Sequence, residues 1–281
     1  MLVTEILRYA AFTDDPSGGN PAGVVLDATG LSADEMLAVA AEVGYSETAF
    51  LVPRAGEDRA YDVRYFAPRV EVPFCGHATI ASGVALAERH GVGGFALHTP
   101  SGLVDVDTTR LDGALWATLT SVEPSVEPAD PDLVDEALGA LRWDRADLDP
   151  AYPLSVADAG ARHLVLVVRT RDRLTRLAYD VDRLRDAMLG AGLTTVQLIW
   201  PDRFGGYQSR NPFPVGGVVE DPATGAAAAA FGAYLAHHGL VEPDASFTIE
   251  QGVDLGRPSL LQVQLSRESS RVRVSGKAVS L

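Results

Sequence analysis

The sequence predicts a strand-dominated α/β or α+β chain, and three observations carry that expectation. Short apolar runs rich in Val, Ile, Phe and Tyr recur from end to end, helical patterns are few, and one segment is written twice. At 281 residues the chain is long enough for one large domain or for two of about 140 residues, and either buries a proper core.

The strand candidates, in order, are "AGVVLD", "ETAFLV", "YDVRYF", "LWATLT", "HLVLVVR", "TTVQLIW", "SFTIEQ", "SLLQVQL" and "RVRVSG", each bounded by Gly, Pro or Asp turn signals. The helical pattern at Ser32 to Val43 opens with a capping box, Ser32-x-x-Glu35. Others follow Gly76, span Asp132 to Leu141 and Asp180 to Leu189, and follow Gly225. The duplication appears when the chain is slid by about 149 residues, which lays "EVPFCGHATIASGVALA" over "EDPATGAAAAAFGAYLA". Gly76 then meets Gly225, Gly83 meets Gly232, and Pro73 meets Pro222. Both copies have an acidic residue and a proline, a glycine turn, and a helix of Ala, Gly, Ser and Thr. Side chains that small let strands or a second helix approach the axis, so each helix is expected to be buried all round. The start of each helix carries unpaired N–H groups and the positive end of the macrodipole. Two such starts brought together by a pseudo-two-fold make one anion pocket.

Composition narrows the function. A net charge of −15 with no Lys/Arg cluster argues against a nucleic-acid partner. The opening "MLVTEILRYAAFTDD" lacks a basic and then apolar leader, and a single cysteine forms no internal disulfide, so a cytoplasmic protein is expected. "ATGAAAAAFGAYLA" is too short for a membrane span, so no membrane partner is expected. Cys75-Gly76-His77 lacks a second Cys or a spaced His pair for zinc, so no metal is expected, and Cys75 reads as a buried small hydrophobe.

The ordered blocks "GGNPAGVV", "YSETAFLV", "VRYFAPRVEVPFCGHAT", "GVVEDPATGAA" and "EQGVDLGRPSLL" resemble the phenazine-biosynthesis PhzF-like family across essentially the whole chain. The resemblance implies a diaminopimelate-epimerase-like fold: two pseudo-symmetric lobes, each a curved β-sheet or barrel around a central helix, with the site in the cleft. The lobes are expected at residues 1–122 and 123–281, with the last strands crossing back to the N-terminal lobe. The resemblance also implies a cofactor-independent, metal-independent isomerase, in a homodimer, acting on a small carboxylated and cyclic metabolite.

Residue by residue, Glu47 in "YSETAF" matches the family's catalytic glutamate, a general acid/base; otherwise it is a strand-edge glutamate facing water. Asp221 in "EDPATG" matches a second acidic position, although an Asp also suits a helix N-terminus on its own account. His77 matches the cleft histidine, and Glu220 is expected to organise the loop. The backbone of Gly76, His77, Gly225 and Ala226 is where the resemblance places a substrate carboxylate. Ala226 departs from the serine often found there, which removes a hydroxyl and leaves the amide. Asn20 is counted with the substrate-binding set, although Asn-Pro is also an ordinary turn initiator. Arg257 is expected to support the fold, and Arg210 to serve either the cleft or the surface. His90, His98, His163, His237 and His238 follow no ligand spacing. Two other functions stand beside the isomerase. One is an amino-acid racemase using carboxylates and His, since the repeat partner of Cys75 is Thr224 and two thiols are lacking. The other is a non-catalytic small-molecule-binding protein.

Overall fold

Alternation of buried positions with half-buried ones in Ala114–Thr120, and with exposed ones in Ser259–Ser266, gives sheets with one face on a core. In the computed structural model, which describes residues 5–281, these strands form one topology twice. The first four residues, part of the stretch read for a leader, lie outside the described residues.

In the first half, Leu7–Ala11 pairs antiparallel with Asn20–Val25, which pairs parallel with Glu47–Pro53 across the helix α1, Ala33–Val43. Glu47–Pro53 then pairs antiparallel with Ala60–Ala67, and the short Val70–Val72 leads into α2, Gly76–His90. After α2, Gly93–Thr99 returns parallel to Ala60–Ala67, and Gly102–Leu111 and Ala114–Thr120 follow as antiparallel neighbours. The second half begins beyond Ser125–Pro128 and α3, Pro131–Leu141. There, Ser155–Asp158, Arg162–Val167, Thr195–Pro201, Tyr207–Pro212, Ser246–Gln251, Ser259–Ser266 and Ser269–Ser280 pair in the same antiparallel and parallel sequence. Its crossover carries α4, Arg171–Thr175, and α5, Val181–Ala191, and its central helix is α6, Gly225–His237.

The final strand of each half serves the other half. Ser269–Ser280 pairs with both Ala114–Thr120 and Leu7–Ala11, closing the first eight-stranded barrel. Ser125–Pro128, which continues from Ala114–Thr120, pairs with Ser155–Asp158 at the edge of the second sheet.

The central helices behave as their small residues predict. Gly76 through Ala87 of α2 and Gly225 through Leu235 of α6 are all buried. Bulkier side chains come from the strands: a Cβ on Gly83 would meet Val106 at 2.7 Å, and one on Gly232 would meet Val272 at 2.9 Å. The outer helices follow their caps. Ser32 and Glu35 form the expected box at α1, Asp130 caps α3 and Asp180 caps α5. Among the described residues no helix is long and apolar enough to cross a membrane.

The two helix starts meet end to end. A Cβ on Gly76 would lie 2.7 Å from both the Ala226 nitrogen and the Gly225 Cα. These are backbone atoms, which cannot swing aside as a side chain does. Gly76→Ala is therefore expected to lower stability by about 1–3 kcal/mol in urea unfolding. Gly190→Ala is the control: its Cβ meets nothing within 4 Å, so the change is expected to be neutral or slightly stabilising.

Candidate active site

The abutment of α2 and α6 brings residues distant in sequence around one small cavity of about 30 Å³. Glu47 enters at the first position of its strand, opposite Ala22 in the parallel register. His77 stands in the first turn of α2, just after Cys75 at the N-cap. Asp221 lies on the two-residue strand Glu220–Asp221, held against Asn211, and Thr224 is the N-cap of α6. Glu47, His77, Asp221, Gly76, Gly225 and Ala226 all line the cavity.

Asn20 sits behind this wall and ties the lobes together. Its Nδ2 lies 2.6 Å from Asp221 Oδ1, 3.0 Å from the Ala223 carbonyl and 3.0 Å from His77 Nδ1. Asp221 Oδ2 accepts a second hydrogen bond, from Thr224 Oγ1 at 2.6 Å. Gln251 holds the loop: it accepts from the Thr224 N–H at 3.1 Å and donates to the Asp221 carbonyl at 2.7 Å. On the other side, His77 Nε2 lies 3.3 Å from Ser46 Oγ and 3.5 Å from Glu47 Oε2.

Protonation follows from burial. Glu47 and Asp221 are 5% and 4% exposed, and loss of water raises both carboxyls above the ordinary carboxylate range. They are not raised alike. The negative charge of Asp221 pushes Glu47 further up, whereas the hydrogen bonds from Thr224 and Asn20 hold Asp221 down. Burial pushes His77 down to about 3, so the imidazole is neutral and its contact with Glu47 is not an ion pair. Burial, reinforced by Glu47, drives the Cys75 thiol up, which keeps it protonated. Glu47, Cys75 and His77 offer one ligand atom each within 4.8 Å of one another, so tertiary structure supplies a third donor beside Cys75-x-His77. That oxygen, sulfur and nitrogen set suits zinc by type. The carboxyl and thiol must both lose protons before they can ligate.

Other residues singled out in the sequence lie elsewhere. Arg210 serves neither cleft nor surface: its Nη2 donates to Glu220 at 2.5 Å and its Nη1 to the carbonyls of Leu174 and Thr175. Glu220 is thereby fixed beside Asp221, organising the loop. Arg257 donates to the carbonyls of Gly18 and Gly19, a supporting contact. His163, which follows no ligand spacing, does reach the cavity wall. The signal for it was a lone polar side chain heading the apolar run "HLVLVV".

The phenazine biosynthesis-like protein family matches residues 9–281. The chain belongs to that family. Among phenazine biosynthesis-like relatives, an uncharacterized isomerase of Bacillus subtilis, YfhB, is 30% identical over 98% of this chain and 95% of its own. A trans-2,3-dihydro-3-hydroxyanthranilate isomerase of Pseudomonas fluorescens is 31% identical over 96% of this chain and 94% of its own. The structure of a predicted epimerase from Pseudomonas aeruginosa superposes with a TM-score of 0.86 at 30% identity, covering 98% of this chain and 96% of the other. A probable proline racemase from Agrobacterium radiobacter, at 14% identity, shares the fold with a TM-score of 0.69 over 98% of this chain and 90% of its own. The fold is thus the diaminopimelate-epimerase-like one that the sequence implies, and the chain is an isomerase of the phenazine biosynthesis-like family with a small-molecule substrate.

The raised Glu47 carboxyl has a consequence for stability. Below the ordinary carboxylate range Glu47 is protonated whether the chain is folded or not. Above that range the folded chain retains a proton that the unfolded chain releases, so this contribution is lost as pH rises through the raised value. Glu47→Gln cannot ionise, and its urea midpoint relative to wild type is expected to climb between pH 4 and pH 9. A constant difference across that range means that Glu47 ionises freely in the fold.

Proposed function

We propose that the chain catalyses a proton shift within a small, carboxylated, cyclic metabolite, with Glu47 as the general acid/base. The observation that carries this reading is the pair of buried carboxyls at one cavity, Glu47 and Asp221, whose surroundings push their protonation apart. A carboxyl raised toward neutrality both takes and returns a proton at low cost.

The ionised form of Glu47 removes a proton from an activated carbon of the bound substrate. The resulting carboxylic acid delivers that proton to another carbon of the same conjugated system. The enzyme ends as it began, and no electrons pass to an external acceptor. This balance is complete with side chains alone, which supports a reaction independent of metal and cofactor. Asp221 and His77 hold the polar groups of the ring. The starts of α2 and α6 offer N–H groups free of intrahelical partners, at Gly76, His77, Gly225 and Ala226, to the substrate carboxylate.

The cavity volume bears on entry. About 30 Å³ holds one or two water molecules, so a ring-sized substrate needs the cavity to widen on binding. Racemisation by two thiols does not suit this site. The position equivalent to Cys75 is Thr224, whose hydroxyl hydrogen is given to Asp221. A cytoplasmic homodimer belongs to the same proposal, and sedimentation velocity of the purified chain tests its assembly.

The test is hydrogen exchange in deuterated water. Trans-2,3-dihydro-3-hydroxyanthranilate, cyclic hydroxy-amino acids and plain amino acids form the panel. Wild type is expected to exchange a C–H of a cyclic carboxylated member, and Glu47→Gln to slow that exchange by about 10²–10⁴-fold while remaining folded. Exchange on none of the panel, or undiminished exchange by Glu47→Gln, overturns the reading.

A further inference from the structure

His163 lies on Arg162–Val167, is 0% exposed, and lines the same cavity as Glu47, His77 and Asp221. Its two ring nitrogens have different surroundings. Nδ1 is 2.7 Å from Thr195 Oγ1, while Nε2 has no hydrogen-bond partner among the described residues. Buried polar atoms without partners are rare in folded proteins, and one that lines a site points to a ligand.

The hydrogen bonds behind the ring decide which nitrogen carries the proton. Thr195 Oγ1 donates to Asn211 Oδ1 at 3.3 Å, and Asn211 Nδ2 donates to Ser209 Oγ at 3.3 Å. An amide oxygen only accepts, so the single hydroxyl hydrogen of Thr195 is committed to Asn211. Thr195 must then accept from His163, which puts the ring hydrogen on Nδ1. Burial pushes His163 down to about 3, so the ring is neutral and has no second hydrogen. Nε2 is left as a bare lone pair on a residue that lines the cavity.

We propose that His163 is a substrate-binding residue whose Nε2 accepts a hydrogen bond from a hydroxyl or amino group of the substrate. The inference rests on the proposed use of this cavity as the substrate site. It deepens that proposal by naming the substrate class: a small carboxylate that also carries a hydrogen-bond donor. A carbonyl, ether or second carboxylate placed there would face a lone pair with a lone pair. The ring thus selects for hydroxylated or aminated acids among acids of similar size.

Two probes share a carboxylate and differ in donors: benzoate and 2-amino-3-hydroxybenzoate. By titration calorimetry, wild type is expected to bind the second at least about tenfold more tightly. His163→Leu brings that ratio toward one and leaves benzoate affinity unchanged. Thr195→Val leaves His163 in place and releases its tautomer, and is expected to lower the ratio severalfold; it serves if His163→Leu does not fold. Nitrogen NMR of the wild-type imidazole is expected to show Nδ1 protonated and Nε2 bare. The Nε2 resonance should then move on adding the amino-hydroxy probe and not on adding benzoate. An Nε2–H tautomer, an unchanged ratio in His163→Leu, or no binding of either probe to wild type overturns the proposal. Neither readout needs turnover. Donor selectivity through His163 without C–H exchange sinks the proton-shift reading alone, and exchange with an unchanged ratio sinks this one alone.

Discussion

Everything at the site depends on the end-to-end approach of α2 and α6. Gly76 and Gly225 lie so close that a Cβ on the first would fall within 2.7 Å of the other's backbone. This contact aims both helix starts, with their unpaired N–H groups, at one point. It also sets Cys75-Gly76-His77 across from Thr224-Gly225-Ala226, so each half of the chain supplies half of the wall. The small residues further along both helices serve the same end. By letting barrel strands close tightly around each axis, they fix where the two axes point.

The second layer of organisation is the hydrogen-bonded bridge from Asn20 to Asp221. It joins the first turn region of one lobe to the acidic loop of the other, and it separates the behaviour of two buried carboxyls. Asp221 receives hydrogen bonds from Asn20 and Thr224, which favour its charged form. Glu47, stripped of water and with the charge of Asp221 for a neighbour, holds its proton more tightly than Asp221 does. One low-dielectric cavity thereby holds two carboxyls of unequal proton affinity. Arg210 acts at one remove: it pairs with Glu220 and so fixes the acidic residue beside Asp221.

The lobes are linked by their strands as well as by the helix contact. Ser269–Ser280 belongs to the second repeat in sequence order but closes the first barrel against Leu7–Ala11. Ser125–Pro128 pairs in the other direction. Such exchange joins the two halves through one hydrogen-bonded sheet.

The two-fold repeat, the capping of α1 and the burial of both central helices were legible in the sequence, because these depend on spacing and side-chain size. The sequence also placed Glu47, His77, Asp221, Gly76, Gly225 and Ala226 as candidates, through motifs that tie residue type to chain position. How groups far apart in sequence change one another is visible in the folded chain and not before. Glu47 as a donor beside Cys75 and His77, the burial of Arg210 against Glu220, and the arrival of His163 at the cavity all follow from strand register and helix approach. The protonation states are of the same kind. They come from water excluded by both lobes together and from charges contributed across the cleft, neither of which a linear pattern contains.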